Sequence, residues 1–409
     1  MPFTAPFWLR EPYTNGMYSV SQPRWRTLPE TPRTFSVQWR FSIGGVTIEY
    51  ETPVACKIEE PAMGEVWQPF DILPPAFVEF TEPCYLVRKN APAKVPVVVR
   101  VQSFRDSVTC RVRLLAPSEW PVAAAVNQPA ETFLARKGQT WTYTFFVDAQ
   151  KGPEAATLKA TVEVNGKSYT DRLITVRYDH IPPQYILLPA EARAVRLDLN
   201  VNARQVGYYM GAGDEGPQAL QRMGCQVTVL DDKDMQPEVL RKFDAIVLGI
   251  RAYNTREALQ RHQSLLFEYA RNGGTLVMQY NNSFDLVVPQ VAPIPLRLSR
   301  TRVTDETAEI RLLQPKHPAM NTPNVLSVRD FEGWVQERGL YFPDQWDAQF
   351  TPLIACNDPG ESPTEGALLV APCGKGYVVY TGLAFFRQFP AGVPGAYRLF
   401  ANLISLKQK

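Results

Sequence analysis

The chain has 409 residues, 45% hydrophobic and 21% charged, the composition of a globular protein too long for one ordinary core. At about 150 residues per domain it predicts two or three domains. Its 43 basic and 41 acidic side chains leave a formal charge of +2 with neither sign in a long block, which argues against a nucleic-acid-binding or membrane-surface protein.

No apolar run approaches the roughly 20 residues that cross a bilayer, and the opening residues lack the basic and apolar regions of a signal peptide. A periplasmic or secreted parent protein stays open. Six scattered cysteines, Cys56, Cys84, Cys110, Cys225, Cys356 and Cys373, form neither a disulfide framework nor a Cys-x-x-Cys metal or redox site.

The first 180 residues carry period-two patterning. Phe35, Val37, Trp39, Phe41 and Ile43 alternate with polar residues, Gly44-Gly45 turns the chain, and Val46, Ile48 and Tyr50 alternate on the way back, which predicts a β-hairpin. A second hairpin is expected where Leu158–Val164 runs into Asn165-Gly166 and a return strand through Val176. With further strands at 95–102, 107–114 and 140–147, residues 76–180 hold enough for one immunoglobulin-like sandwich. Residues 1–75 read as a partial sandwich whose opening strands are expected upstream, so the chain reads as the C-terminal portion of something longer. His180-Ile181-Pro182-Pro183-Gln184 then reads as a proline-stiffened linker.

After it the period changes. Strands at Val206–Met210, Cys225 onward, Ala245–Ile250 and Thr275–Met278 alternate with helices. One opens at Pro217 and stops at Gly224, one is N-capped by Asp234, and one runs from Thr255 to Asn272-Gly273-Gly274. Strands are also expected at 307–313, 366–372 and 375–382, and a closing helix from Ala396 to Leu406. This is a mostly parallel, flavodoxin-like α/β domain over 184–409. Its ligand crevice is expected beyond the carboxyl ends of the strands.

That crevice should gather Asp214, Glu215, Arg251 and Asn254. Gly211-Ala212-Gly213-Asp214-Glu215 places two carboxylates where a dinucleotide phosphate would approach, so nucleotide binding is disfavoured. The acids either stabilise a helix N-terminus or bind sugar hydroxyls or Arg251. By element order the domain resembles class I glutamine amidotransferases, in which a cysteine would sit on the turn after Thr275–Met278. Here the turn reads Gln279-Tyr280-Asn281-Asn282-Ser283, with no histidine placed to activate a nucleophile. His262 lies on an apolar helical stripe, and His180 and His317 lie in linker and turn. No zinc motif is present. No metal, cofactor or catalytic residue is therefore expected. The segments 330–339 and 385–397 mix aromatics with Arg, Glu and Gln, the ingredients of a carbohydrate site or of loops that simply cap the sheet.

Gly-Tyr-Tyr-Met-Gly-Ala-Gly-Asp-Glu, Gly-Ile-Arg-Ala-Tyr-Asn-Thr and the segments at 330–342 and 382–404 resemble the C-terminal region of large bacterial PIG-L/LmbE-type N-acetylglucosaminyl deacetylases. The resemblance covers nearly the whole chain. It implies sandwiches like those associated with α-galactosidases, followed by an amidotransferase-like domain. The family's zinc-dependent catalytic domain, with its His-Pro-Asp-Asp motif, has no counterpart here, so no catalytic residue carries over. The expectation is a non-catalytic, carbohydrate-binding accessory region that partners a PIG-L-type catalytic domain in cis or in trans. Its ligand-binding candidates are Asp214, Glu215, Arg251, Asn254, Gln279, Asn281, Glu332, Trp334, Arg338 and Arg387. Two alternatives are a hydrolase using Asp214 or Glu215 with Glu332 or Glu337, and a degenerate docking scaffold, which an exposed apolar patch on the first sandwich would favour. Replacing Asp214 and Arg251 with Ala is expected to abolish glycan binding without unfolding the chain.

Overall fold

The computed structural model describes residues 3–14, 16–62, 64–89 and 94–407. The chain is β-rich and divides into two compact units, one of Met1–Glu82, Pro96–Val147 and Thr157–Ala192, the other of Pro83–Val95, Asp148–Ala156 and Arg193–Lys409. Among the described residues no helix is long and apolar enough to cross a membrane.

In the first unit, strict alternation builds two sheets with one buried face each. Ala76–Phe80, Lys94–Ser103, Thr140–Asp148 and Val122–Ala124 neighbour one another in that order. Thr132–Leu134, Val108–Leu115 and Ala155–Val164 lie side by side in a second sheet. Val97, Val99, Val101, Phe145 and Val147 from one, and Val108, Val112, Leu158 and Val162 from the other, are buried. The Tyr143 and Thr132 hydroxyls meet at 2.7 Å, so the buried polar groups satisfy each other.

Asn165 and Gly166 turn with φ of 52° and 74°, the pair of positive angles a two-residue hairpin turn requires. The return strand is shorter than expected, ending at Tyr169. The chain then resumes as Asp171–Tyr178, which pairs with Ile181–Pro189. The proline-stiffened linker is thus part of a strand. Pro182 and Pro183 are accommodated where the ladder shifts register between Val176 and Tyr178, a bulge in which their missing N–H groups cost no ladder bond.

The hairpin Ser36–Ile43 and Val46–Pro53 forms as expected, in register Trp39 to Tyr50, Phe41 to Ile48 and Ile43 to Val46. It remains a separate two-stranded sheet. Its apolar face is uncovered: Trp39 is 48% exposed, Ile43 66% and Tyr50 64%.

The second unit is built on a seven-stranded sheet in the order Gln226–Leu230, Gln205–Tyr209, Ala245–Leu248, Thr275–Gln279, Gly376–Thr381, Leu368–Cys373, Thr351–Pro352. The first five are parallel and the last two antiparallel. Alternate side chains enter two cores. Val206, Tyr208, Val247, Val277 and Val379 pack on one side with helices Gly216–Arg222 and Pro394–Ile404. Tyr209, Ile246, Leu248, Leu276 and Met278 pack on the other with helix Leu259–Arg271. Fully buried parallel strands account for their near-continuous apolar sequences. Strand Cys84–Arg88 also belongs to this unit, running parallel to Glu191–Leu197.

Two helix starts differ from expectation. Asp231, not Asp234, caps the 3-10 turn Asp232–Asp234, with Asp234 as its reciprocal partner. Thr255 closes the short helix Ala252–Thr255 instead of opening the long one, its hydroxyl donating back to the Arg251 carbonyl at 3.0 Å.

At the carboxyl ends, the backbone of Gly211 lies against the next crossover. A Cβ there would stand 2.1 Å from the Ile250 carbonyl and 2.7 Å from the Ala252 nitrogen. Gly211→Ala should therefore lower stability by about 2 kcal/mol or more in chemical denaturation, because both obstructing atoms are backbone; an unchanged midpoint would contradict this packing.

Candidate functional site

The order of the parallel strands reverses beside Gln205–Tyr209, and there the loops after that strand and after Ala245–Leu248 meet. They meet closed. Asp214 accepts hydrogen bonds from the Tyr208 hydroxyl at 2.5 Å, the Gly216 amide at 2.7 Å and the Ile250 amide at 3.1 Å. Ala212 N donates to the Ile250 carbonyl at 2.9 Å, and Gln279 donates to Tyr208 at 2.8 Å. Burial pushes the Tyr208 phenol well above its usual range, and the neighbouring Asp214 charge adds to this. Tyr208 therefore stays a neutral donor, and the Asp214 carboxylate is committed to fastening one loop to the next.

Most other predicted residues are also structural. Asn281 accepts from Tyr253 N at 2.8 Å and donates to the Gln279 carbonyl at 3.0 Å. Asn254 accepts from Asn282 N at 2.9 Å and donates to the Phe284 carbonyl at 2.8 Å, pinning the following loop. Glu215 pairs with Arg222 at 3.3 Å on the flank of its helix. Trp334 is buried with its indole N–H on the Asp330 carbonyl at 3.1 Å. Arg338, also buried, spends its guanidinium on the carbonyls of Ala308 and Phe331, and burial lowers its pKa. Glu332 is exposed. Trp334 and Arg338 therefore do not face a crevice: their mixed composition serves a buried corner in which each polar atom reaches backbone.

What gathers at the strand ends is a group of aromatic rings. Tyr280 follows strand Thr275–Gln279 and lies nearly parallel to Tyr341, centroids 6.4 Å apart at 9°. Phe386 lies 5.4 Å from Tyr280, and Phe284 stands edge-on to Tyr341 at 6.1 Å. Tyr341 and Phe386 are half-buried, and Phe284 is exposed. Arg387 covers Phe386 at 4.8 Å while bridging Glu337 at 2.6 Å and donating to Gln336. Burial raises the Tyr280 phenol, and the charges of Arg251, Glu337 and Arg387 lie close enough to act on it.

Arg251 joins this shelf through its backbone N–H on the Tyr280 carbonyl at 2.7 Å. Its φ is 55°, a left-handed conformation that costs a non-glycine residue about 1–3 kcal/mol. Its Nε is buried without a hydrogen-bond partner. Of the predicted residues, Arg251 and Arg387 thus come together, and Asp214, Glu215, Asn254, Gln279, Asn281, Trp334 and Arg338 do not contribute free groups. Tyr280, Tyr341 and Phe386 lie inside segments that stand out in the sequence; Phe284 carries no such signal beyond the rule that strand ends hold ligands.

A cleft of about 470 Å³ lies at the other end of the sheet among Leu240, Phe243, Asp244, Leu265, Tyr269 and Lys407. Its polar groups serve one another. Asp244 accepts from Arg204 N, Gln205 N and Lys407, and Tyr269 donates to the Phe243 carbonyl. Among the described residues no group of His, Cys, Asp and Glu could hold a metal ion, and all six cysteines are free.

The Asp214 network argues against the expectation that this residue can be replaced without cost to folding. Asp214→Ala strands three donors and should destabilise the chain by about 3 kcal/mol in urea denaturation. A stable variant that merely lost ligand binding would refute the structural role.

No family model matches the sequence, and no curated protein gives a significant match. Among solved structures, a ThuA-like protein from Bacteroides uniformis is 10% identical, covering 51% of this chain and 95% of its own at a TM-score of 0.36. A protein assigned as a GMP synthase subunit from Thermoplasma acidophilum is 9% identical, covering 50% and 94% at 0.32. A FixG-related protein from Vibrio parahaemolyticus is 8% identical, covering 30% and 98% at 0.21. Similarities this low set neither the fold nor the function of this chain.

Proposed function

We propose that this chain is a non-catalytic, carbohydrate-recognising accessory region of the PIG-L-type deacetylase kind, and that its recognition surface is the aromatic shelf of Phe284, Tyr341 and Phe386 gathered around the buried Tyr280. The carrying observation is that four rings converge beyond the carboxyl ends of the sheet, rimmed by Arg251, Arg387, Glu337 and Gln336. A sugar ring presents an apolar face to such rings and hydroxyls to such a rim. The parallel strand order 2-1-3-4-5 supports a flavodoxin-like, amidotransferase-like domain, and the paired sheets of the first unit support an immunoglobulin-like sandwich.

The carboxylate-pair hydrolase is the weaker reading. Asp214 is held by three donors, Glu215 by Arg222 and Glu337 by Arg387. None of these is a free acid or base.

Calorimetric titration with N-acetylglucosamine oligomers and a panel of other glycans tests the shelf. Tyr341→Ala and Phe386→Ala should each weaken binding about tenfold while leaving the melting profile intact. Binding that survives both substitutions would remove the shelf from the proposal.

A second reading, a scaffold that docks a catalytic partner, is favoured by the uncovered hairpin face of Trp39, Phe41, Ile43, Val46, Ile48 and Tyr50, since contiguous apolar surface of this kind marks interaction sites. On that reading a PIG-L-type catalytic domain co-sediments with the chain, and Phe41→Ser with Ile48→Ser abolishes the complex. Independent sedimentation of the unsubstituted proteins would count against it.

A further inference from the structure

We infer that the saccharide bound by the shelf is acidic, and that Arg251 takes its carboxylate; this rests on the carbohydrate reading above and adds the ligand's charge to it.

The inference comes from how arginines are satisfied elsewhere in the molecule. Arg196, Arg222, Arg311 and Arg398 also have a buried, unpartnered Nε. Each nonetheless places a terminal nitrogen on a protein acceptor: Arg196 on the Gln150 and Gly152 carbonyls, Arg222 on Glu215, Arg311 on Asn357, and Arg398 on Asp330 and the Val325 carbonyl. The two arginines flanking the strand ends hold carboxylates, Arg256 that of Asp232 at 2.9 Å and Arg387 that of Glu337 at 2.6 Å. Among the described residues, Arg251 alone of this group donates no side-chain hydrogen bond and forms no ion pair.

A guanidinium is always charged and presents its donors as a planar fork. Taking such a group partly out of water without a counter-charge is costly, and the left-handed backbone of Arg251 adds to that cost. The chain holds both features at the edge of an aromatic surface, beside Tyr280. The terminal nitrogens, which make no hydrogen bond or ion pair among the described residues, are thus left for an anion delivered with the ligand. The two terminal nitrogens of the fork, which unlike Nε are not buried, match a carboxylate held by two parallel hydrogen bonds, and a uronate supplies that group on a ring whose face can lie on Tyr341 or Phe386.

The test is calorimetric titration of the full chain, at low and moderate salt, with oligogalacturonate, a sulfated oligosaccharide and neutral N-acetylglucosamine oligomers. Arg251→Gln, Arg251→Lys and Tyr341→Ala are titrated in parallel, with thermal melts to verify folding. The uronate should bind at least about tenfold more tightly than the neutral oligomer. Arg251→Gln should remove that preference, Arg251→Lys should retain only part of it, and Tyr341→Ala should weaken both ligands. If Arg251→Gln does not fold, the lysine variant carries the test, and a full uronate preference in it overturns the role of the guanidinium fork. Equal binding of neutral and acidic sugars, still dependent on Tyr341, would overturn the inference while leaving the carbohydrate reading standing. A uronate preference unchanged in Arg251→Gln would also overturn it, as would tighter binding of the sulfated sugar than of the uronate. Failure of every saccharide to bind would remove both.

Discussion

The carboxylate of Asp214 is the constraint on which the second unit turns. By accepting from Tyr208, Gly216 and Ile250 at once, it fixes the loop after the first strand of the sheet to the loop after its neighbour. A parallel sheet would otherwise open a crevice at this point. With no Cβ on Gly211, backbone approaches backbone and the seam closes. One strand further along, aromatic rings gather after Thr275–Gln279 instead.

The conspicuous polar residues are spent on construction. Asn254 and Asn281 hold the loops that carry Phe284 and Tyr280, and Arg338 ties Ala308 to Phe331 beneath the strand that bears Tyr341. On the other flank, Tyr209 donates to Asp232, and Arg256 reaches both. The Asp232 carboxyl is held below its usual range, first by Tyr209 and then by Arg256. The shelf is thereby framed by satisfied groups, against which the unsatisfied Arg251 stands out.

The elements that were readable in the sequence are those in which local pattern and tertiary burial agree. The 36–53 hairpin, the Asn165-Gly166 turn and the buried strands at Ala245–Leu248 and Thr275–Gln279 are of this kind. Pro182 and Pro183 misled because proline excludes a ladder bond but not a bulge, and a bulge is set by the partner strand. Thr255 and Asp234 are good capping residues by type, yet the helices that follow them begin only at Leu259 and Pro237, after Ala258 and Gln236. For the polar candidates, composition names the residue type but not the partner it meets. A tryptophan or arginine in a polar loop looks the same in sequence whether it faces solvent, like a binding group, or turns inward onto a carbonyl, like Trp334 and Arg338. The free state of Arg251 depends on what surrounds it in space.

The early strand Cys84–Arg88 carries a consequence for how the chain reaches this state. Cys84 places its thiol against the Phe389 carbonyl at 3.2 Å and the Tyr397 hydroxyl at 3.4 Å, contacts 305 and 313 residues apart in sequence. Arg88 reaches the Met223 carbonyl. During vectorial synthesis this strand emerges long before the closing helix that completes its surroundings, and pairings of such separation form slowly. The interval leaves an apolar strand edge open to wrong partners, so the yield of folded protein should depend more on chaperone supply and synthesis rate than its final stability would suggest.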